Sequence, residues 1–389
     1  MLALISFLAT SSPPQTPCTS GLDCSLNGEC DTATALCICD RGWKGEVCGT
    51  FDFDETQTSK ALRGLHLDNT STWGGTPIVI TGVGGRKSFH LFAEYMVEDC
   101  SLTHWVNNSQ IVHAVAASPL GPFRIQSVAF QPFRHSVGVA RMANGTLVMF
   151  QTGCDVWPDR LVNCTANRTF PQQSRSAPLR PSLPPGCTGL IPPPPATRSI
   201  YWPRYSLSGR VRVGFSTSPD GPWTSVPYPV LQPQQGNGTF PSSWDAFTTN
   251  AAPMVLPNGS IVLAYRGSFT EADAGIGLAI ADNIAGPYRR LNGGHPIFSD
   301  HAEDPFIYQG KRGSFHIVVH KMPPSPKRPS SFPFNTSAWQ CGDNENACIG
   351  HAFAESLHGP WYFSPNPAAQ PKVSFYYLPL HFVRILLTS

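Results

Sequence analysis

HAVAASPLGPF (113–123), VGFSTSPDGPW (213–223), GLAIADNIAGPY (277–288) and HAFAESLHGPW (351–361) repeat one pattern: a short alternating strand, a turn, then Gly-Pro and an aromatic residue. Upstream of each lies a pair of apolar runs. They are TPIVI (76–80) with SFHLFAEYM (88–96), VGVARM (137–142) with GTLVMF (145–150), APMVL (252–256) with SIVLAY (260–265), and PFIY (305–308) with SFHIVVH (314–320). The turn signals GVGGRK, ANG, PNG and QGKRG separate the members of the pairs. Two apolar runs joined by such a turn read as a β-hairpin. Each unit is therefore a hairpin, a third strand and an outer fourth strand, and four-stranded units in a row are propeller blades. No capped segment with a 3.6-residue period interrupts them.

The composition fits this reading. Only 13% of the 389 residues are charged, below the usual quarter, while 34 Gly and 39 Pro supply turns. A net charge of +2 suggests neither nucleic acid nor an anionic membrane as partner. Twelve cysteines, six of them between Cys18 and Cys48, read as disulfides formed in an oxidising space. Asn69, Asn107, Asn144, Asn163, Asn167, Asn237, Asn258 and Asn335 each have Ser or Thr two residues on, as N-glycosylation acceptors do. Residues 1–12, MLALISFLATSS, have the apolar run of a signal peptide without its basic start. These features predict a secreted protein. The apolar stretch from Val373 is broken by Pro379, His381 and Arg384, so no membrane span is expected.

Residues 13–50 stand apart. Cys18, Cys24, Cys30, Cys37, Cys39 and Cys48 end in CICDRGWKGEVC, with Gly45 in the turn before the last cysteine. So short a segment cannot bury enough apolar surface, and its bridges supply the stability. Spacing alone leaves fifteen pairings open and does not dispose of a zinc site. The spacing and the G-W-x-G-x-x-C ending resemble an EGF-like module, which implies Cys18–Cys30, Cys24–Cys37 and Cys39–Cys48. Such a module is expected to fold as a separate unit.

TNAAPMVLPNGSIVLAYRG (249–267), HAEDPFIY (301–308) with SFHIVVHKM, and GHAFAESLHGPW (350–361) resemble eukaryotic secreted proteins related to glycoside hydrolase family 43. The resemblance runs from about residue 72 to 362. It implies an all-β fold, the five-bladed β-propeller shared with arabinanases, invertases and levansucrases, here preceded by the small disulfide-rich module. Only four repeats are visible, so the last blade is expected to be incomplete. The expected organisation is a propeller over 73–362 with a Pro-rich insert at 154–198. Residues 51–72 form a linker or ring-closing strand, and 363–389 a tail or blade remnant. A second departure concerns chemistry: the family's base is an Asp on the first blade's innermost strand, and STWGGTPIV (71–79) holds no carboxylate.

In a propeller the innermost strands converge on the axis, and their ends line a pocket. Those ends are expected at Trp73–Thr76, His135–Ser136, Asn250–Ala251, Glu303–Asp304 and His351. Trp73, His135, Asn250 and His351 suit a sugar, since rings stack on its apolar face and polar groups bond its hydroxyls. Glycosidic cleavage needs two carboxyl groups with separated pKa values. Asp304 is the first candidate, because Pro305 holds it in extended backbone at a strand start. Glu303 is expected on the opposite face of the strand. Glu94 or Asp245 is the candidate second carboxylate. Each acid also has a plainer employment: Glu303 and Asp304 bonding backbone amides at a strand start, Glu94 and Asp245 holding neighbouring blades. His316 and His320 share a strand face as metal ligands would, but their apolar neighbours predict packed histidines, so neither a metal nor a cofactor is implied.

Two functions compete. One is a glycoside hydrolase acting on a cell-wall or matrix polysaccharide. The other is a catalytically inactive glycan-binding or adhesion protein, favoured by the EGF-like module and the missing first-blade Asp. Fold alone does not choose between them.

Overall fold

The computed structural model describes residues 17–52, 64–67, 69–153, 161–164, 210–231, 244–245, 247–268, 274–298, 302–321, 348–364 and 367–368. The signal-peptide reading, almost all of the Pro-rich insert and nearly all of the tail lie outside them. Among the described residues are four antiparallel sheets of four strands each. Blade 1 consists of β5 (Thr72–Thr81), β6 (Lys87–Met96), β7 (Ser109–Ala116) and β8 (Arg124–Phe130). Blade 2 is β9 (Arg134–Arg141), β10 (Leu147–Gly153), β11 (Val211–Ser216) and β12 (Thr224–Ser225). Blade 3 is β13 (Phe247–Val255), β14 (Ile261–Ser268), β15 (Gly275–Ala281) and β16 (Arg289–Arg290). Blade 4 is β17 (Ala302–Gln309), β18 (Phe315–Lys321), β19 (Cys348–Ala354) and β20 (Tyr362–Phe363). Two further pairs precede them, β1 (Gly28–Asp31) with β2 (Leu36–Cys39) and β3 (Trp43–Lys44) with β4 (Thr50–Phe51). No helix among the described residues is long and apolar enough to cross a membrane.

The inner strands β5, β9, β13 and β17 are neighbours in that order. Because side chains alternate along a strand, each blade buries one set of residues against the blade before it and another against the blade after it. Ile78, Phe92 and Ile111 of blade 1 meet Val137, Val139 and Met149 of blade 2. Phe150 and Val213 of blade 2 meet Leu263 and Tyr265 of blade 3. Ala264 and Leu278 of blade 3 meet Ile317, Val319 and Ala352 of blade 4. The core is thus a series of interblade layers.

The other face of blade 4 is covered by the cysteine-rich segment. Trp43, Phe51, Cys18 and Cys48 pack with Tyr308, Val318 and Ile349, and the Trp43 ring lies 4.9 Å from that of His351. Arg312 Nη2 donates to the carbonyls of Leu26 (3.2 Å) and Gly28 (3.1 Å) and pairs with Asp40. Lys311 also reaches Asp40, at 2.6 Å. The segment is therefore docked on blade 4, and it sits where a following blade would pack. Its bridges are Cys18–Cys30, Cys24–Cys37 and Cys39–Cys48. Of the expected linker, Phe51 pairs with Trp43 of β3, Leu65 packs on blade 1, and β5 already starts at Thr72.

Histidines are packed inside the blades in two matching chains. In blade 1, Ser88 Oγ, His90 and His113 are linked at 2.9 and 2.8 Å, and His113 reaches Asp220 at 3.0 Å. In blade 4, Ser314 Oγ, His316 and His351 are linked at 2.8 and 3.1 Å. Burial pushes His316 down to about 3 and His351 well below its ordinary value. A neutral buried imidazole in the folded chain titrates normally once unfolded. The unfolded state therefore takes up the proton first as pH falls, and stability drops between about pH 6.5 and 3. Thermal melts across this window should show a smaller fall for His316→Gln, by up to about 1.4 kcal/mol per pH unit. An unchanged acid slope would contradict the assignment.

Candidate active site

The inner strands share one irregularity. Each carries a β-bulge at its axis end, where two residues stand opposite one on the second strand: Gly74–Gly75, Ser136–Val137, Asn250–Ala251 and Asp304–Pro305. The first residue of every bulge is left-handed, with φ of 57° at Gly74, 56° at Ser136, 49° at Asn250 and 49° at Asp304. Bulges re-aim side chains and are common beside active sites. Non-glycine residues in this conformation are strained and cluster at functional positions. The residue before each bulge pairs with an equivalent residue of the second strand: Trp73 with Glu94, His135 with Thr152, Thr249 with Arg266 and Glu303 with His320.

The bulge overturns two expectations. Asp304 is left-handed, with φ of 49°, where extended backbone before Pro305 was expected. Glu303 and Asp304 do not point to opposite faces, because the left-handed turn at Asp304 breaks the alternation. Atoms of Glu303, Asp304 and His320 lie within 4.8 Å of one another. Glu303 is approached by Arg266 Nη1 at 3.7 Å and by His320 Nδ1 at 3.4 Å. Asn250 Nδ2 donates to Asp304 Oδ1, joining equivalent positions of blades 3 and 4.

The two acids are driven apart electrostatically. Burial acts to raise Glu303, but the His320 hydrogen bond and the Arg266 and His320 charges outweigh it, and the carboxylate is held below its ordinary value. Burial and the adjacent Glu303 charge push Asp304 up to about 6, against the opposing effects of His320 and Asn250. Glu303, Asp304 and His320 are close enough to hold a cation. Arg266 and His320 already balance the charge, so the cluster reads as an ion-pair group. Elsewhere, the Cys100–Cys164 disulfide staples the segment after β6 to residue 164.

The other predicted residues divide. Trp73, half-buried, lies at the axis end of β5, opposite Glu94. His135 bonds Ser109 Oγ at 2.8 Å and stacks on Trp105 at 4.9 Å. Burial depresses it to about 3, so it is neutral. Glu94 is fully buried, and its Oε1 accepts from the Val137 N–H. Two residues lie apart from this cluster. Asp245 is buried beside blade 3, where Arg290 Nη2 (2.6 Å) and Tyr265 Oη (3.0 Å) hold it. His351 lies on β19, the third strand from the axis, under Trp43. Its neighbours are apolar rings and His316, which suits packing and not a pocket wall.

Arg266, Trp105 and the charge-pairing role of His320 escaped the sequence reading. Aligning the repeats gives a signal for two of them. Glu94, Thr152, Arg266 and His320 each fall within two residues of the end of the second apolar run of a repeat, and all four lie opposite an axis residue. Trp105 sits in the short helix Trp105–Asn108 between strands, and no repeat marks it.

No protein-family model and no curated protein matches this sequence. Among solved structures, the chain is similar to Zg3597, a family 117 glycoside hydrolase from the marine bacterium Zobellia galactanivorans. That match has 16% identity over 82% of this chain and 79% of that one, with a TM-score of 0.48. An endo-1,4-beta-xylanase from Bacteroides thetaiotaomicron shows 13% identity over 79% and 81%, with a TM-score of 0.44. An endo-arabinase from the same bacterium shows 12% identity over 76% and 81%, with a TM-score of 0.41.

Proposed function

We propose that the chain is a secreted glycoside hydrolase acting on a cell-wall or matrix polysaccharide at the propeller axis. One observation carries this reading: the Glu303–Asp304 bulge presents two neighbouring acids whose environments separate their pKa values. Glu303 stays charged between Arg266 and His320, and Asp304 titrates near 6. A carboxyl group poised near working pH can exchange protons with a reacting water or glycosidic oxygen, while a fixed negative charge favours an oxocarbenium-like transition state. Trp73, opposite Glu94 on β5, and Trp105, stacked on His135, supply aromatic surface. Secretion is supported by four disulfides and by the lack of a free cysteine among the described residues. The pairing of the N-terminal bridges supports an EGF-like module.

A second reading, a glycan-binding protein without turnover, is favoured by Gly74, which leaves the first blade without an axis side chain. Incubation of the secreted chain with arabinan, xylan, β-1,3-galactan and hyaluronan, with reducing ends followed, separates the two. New reducing ends that appear with the purified chain support hydrolysis. Binding to the same polysaccharides without release favours the second reading.

A further inference from the structure

Blades 2, 3 and 4 each place a polar side chain at the left-handed bulge position: Ser136, Asn250 and Asp304. Blade 1 places Gly74 there. A Cβ built on Gly74 would overlap Glu94 Oε2, so the Glu94 carboxyl lies where the missing side chain would begin. Its Oε1 is anchored by the Val137 N–H, inside the bulge of blade 2. Its Oε2 is buried and has no hydrogen-bond partner among the described residues. Gly74 itself is exposed, so only a residue without a side chain screens that oxygen on its side. A buried polar atom without a partner is costly and calls for a specific explanation.

We propose that Glu94 replaces the axis side chain that the first blade lacks and is the proton donor to the leaving glycosidic oxygen. This deepens the hydrolytic reading and rests on it. In the step, the proton on Glu94 Oε2 passes to the glycosidic oxygen as its bond to the anomeric carbon breaks. A water oxygen bonds to that carbon, and the proton it gives up goes to the Asp304 carboxylate. The products are two saccharides, each with a new hydroxyl, and proton exchange with solvent resets both acids. Burial raises Glu94 to about 8, with Asp304 adding to the rise and the Val137 N–H opposing it. The charged and titratable groups around the axis are Asp304 and Glu303 on β17, His320 on β18, Arg266 on β14 and His135 on β9. Glu303 is paired and His135 is neutral. Asp304 is therefore the charge that Glu94 feels most.

Glu94→Gln tests the proposal, because it keeps the Val137 acceptor and removes the proton. Wild type and variant are compared on an oligosaccharide that the wild type cleaves and on the 2,4-dinitrophenyl glycoside of the same sugar, whose leaving group needs no proton. The expected result is a loss of about 10²–10⁴ in kcat on the oligosaccharide, retention within about tenfold on the dinitrophenyl glycoside, and loss of the alkaline limb near pH 8. Equal losses on both substrates with the alkaline limb intact would overturn it. If Glu94→Gln melts out, Glu94→Asp, which retains a proton, should keep the limb at reduced rate; a limb that disappears would count against the proposal. If the wild type cleaves nothing, the hydrolytic reading fails first and this assignment falls with it.

Discussion

Asp304→Asn is expected to lower kcat by about 10²–10⁴ on any glycoside the wild type cleaves, the usual contribution of a positioned acid or base. The substitution keeps the size of the side chain and its bond with Asn250 while abolishing titration. The variant should therefore melt close to the wild type and still bind glycan. The pH profile gives an independent check. Asp304 is pushed up to about 6, so a role as base requires wild-type kcat/KM to fall as pH drops through that value. Full turnover by Asp304→Asn would refute the assignment. If wild type and variant both bind glycan and neither cleaves it, the binding reading takes over.

The largest expected loss of stability comes from Asp245→Ala. Asp245 is fully buried and holds both Arg290 and Tyr265. Breaking a buried ion pair from one side typically costs about 3–5 kcal/mol, because the remaining charge stays desolvated and unpaired. Chemical denaturation should show the midpoint moving accordingly. A loss below about 1 kcal/mol would mean that water or a neighbouring group compensates Arg290. The axis acids should be unaffected, since Asp245 does not belong to their cluster.

The two acids illustrate how far the chain could be read. Asp245 and Asp304 both stand just before or within an inner strand, and both looked like axis groups. What separated them was their partners in space, Arg290 for one and Asn250 for the other, each more than forty residues away in sequence. Glu303 was assigned to the wrong face for a local reason. Alternation assumes a regular strand, and nothing in Glu-Asp-Pro announces a left-handed residue at position 304. The four bulges become visible only when the blades are compared as repeats.

The amino-acid sequence by itself determined the blades. Alternating apolar runs, turn signals and Gly-Pro-aromatic endings act over a few residues, so short-range sterics and hydrophobic periodicity suffice to write the strands and their hairpin pairing. The clustered cysteines likewise marked a small stapled module. Only the tertiary structure decided where that module rests, against the free face of blade 4, because docking depends on which surface remains uncovered once the sheets have assembled. It also decided which acids meet. Burial and the nearest charges set a carboxyl group's pKa, and at the axis those neighbours come from blades far apart in the chain. That is why Glu94, read from the second strand of the first blade, shares the field of Asp304 in the last.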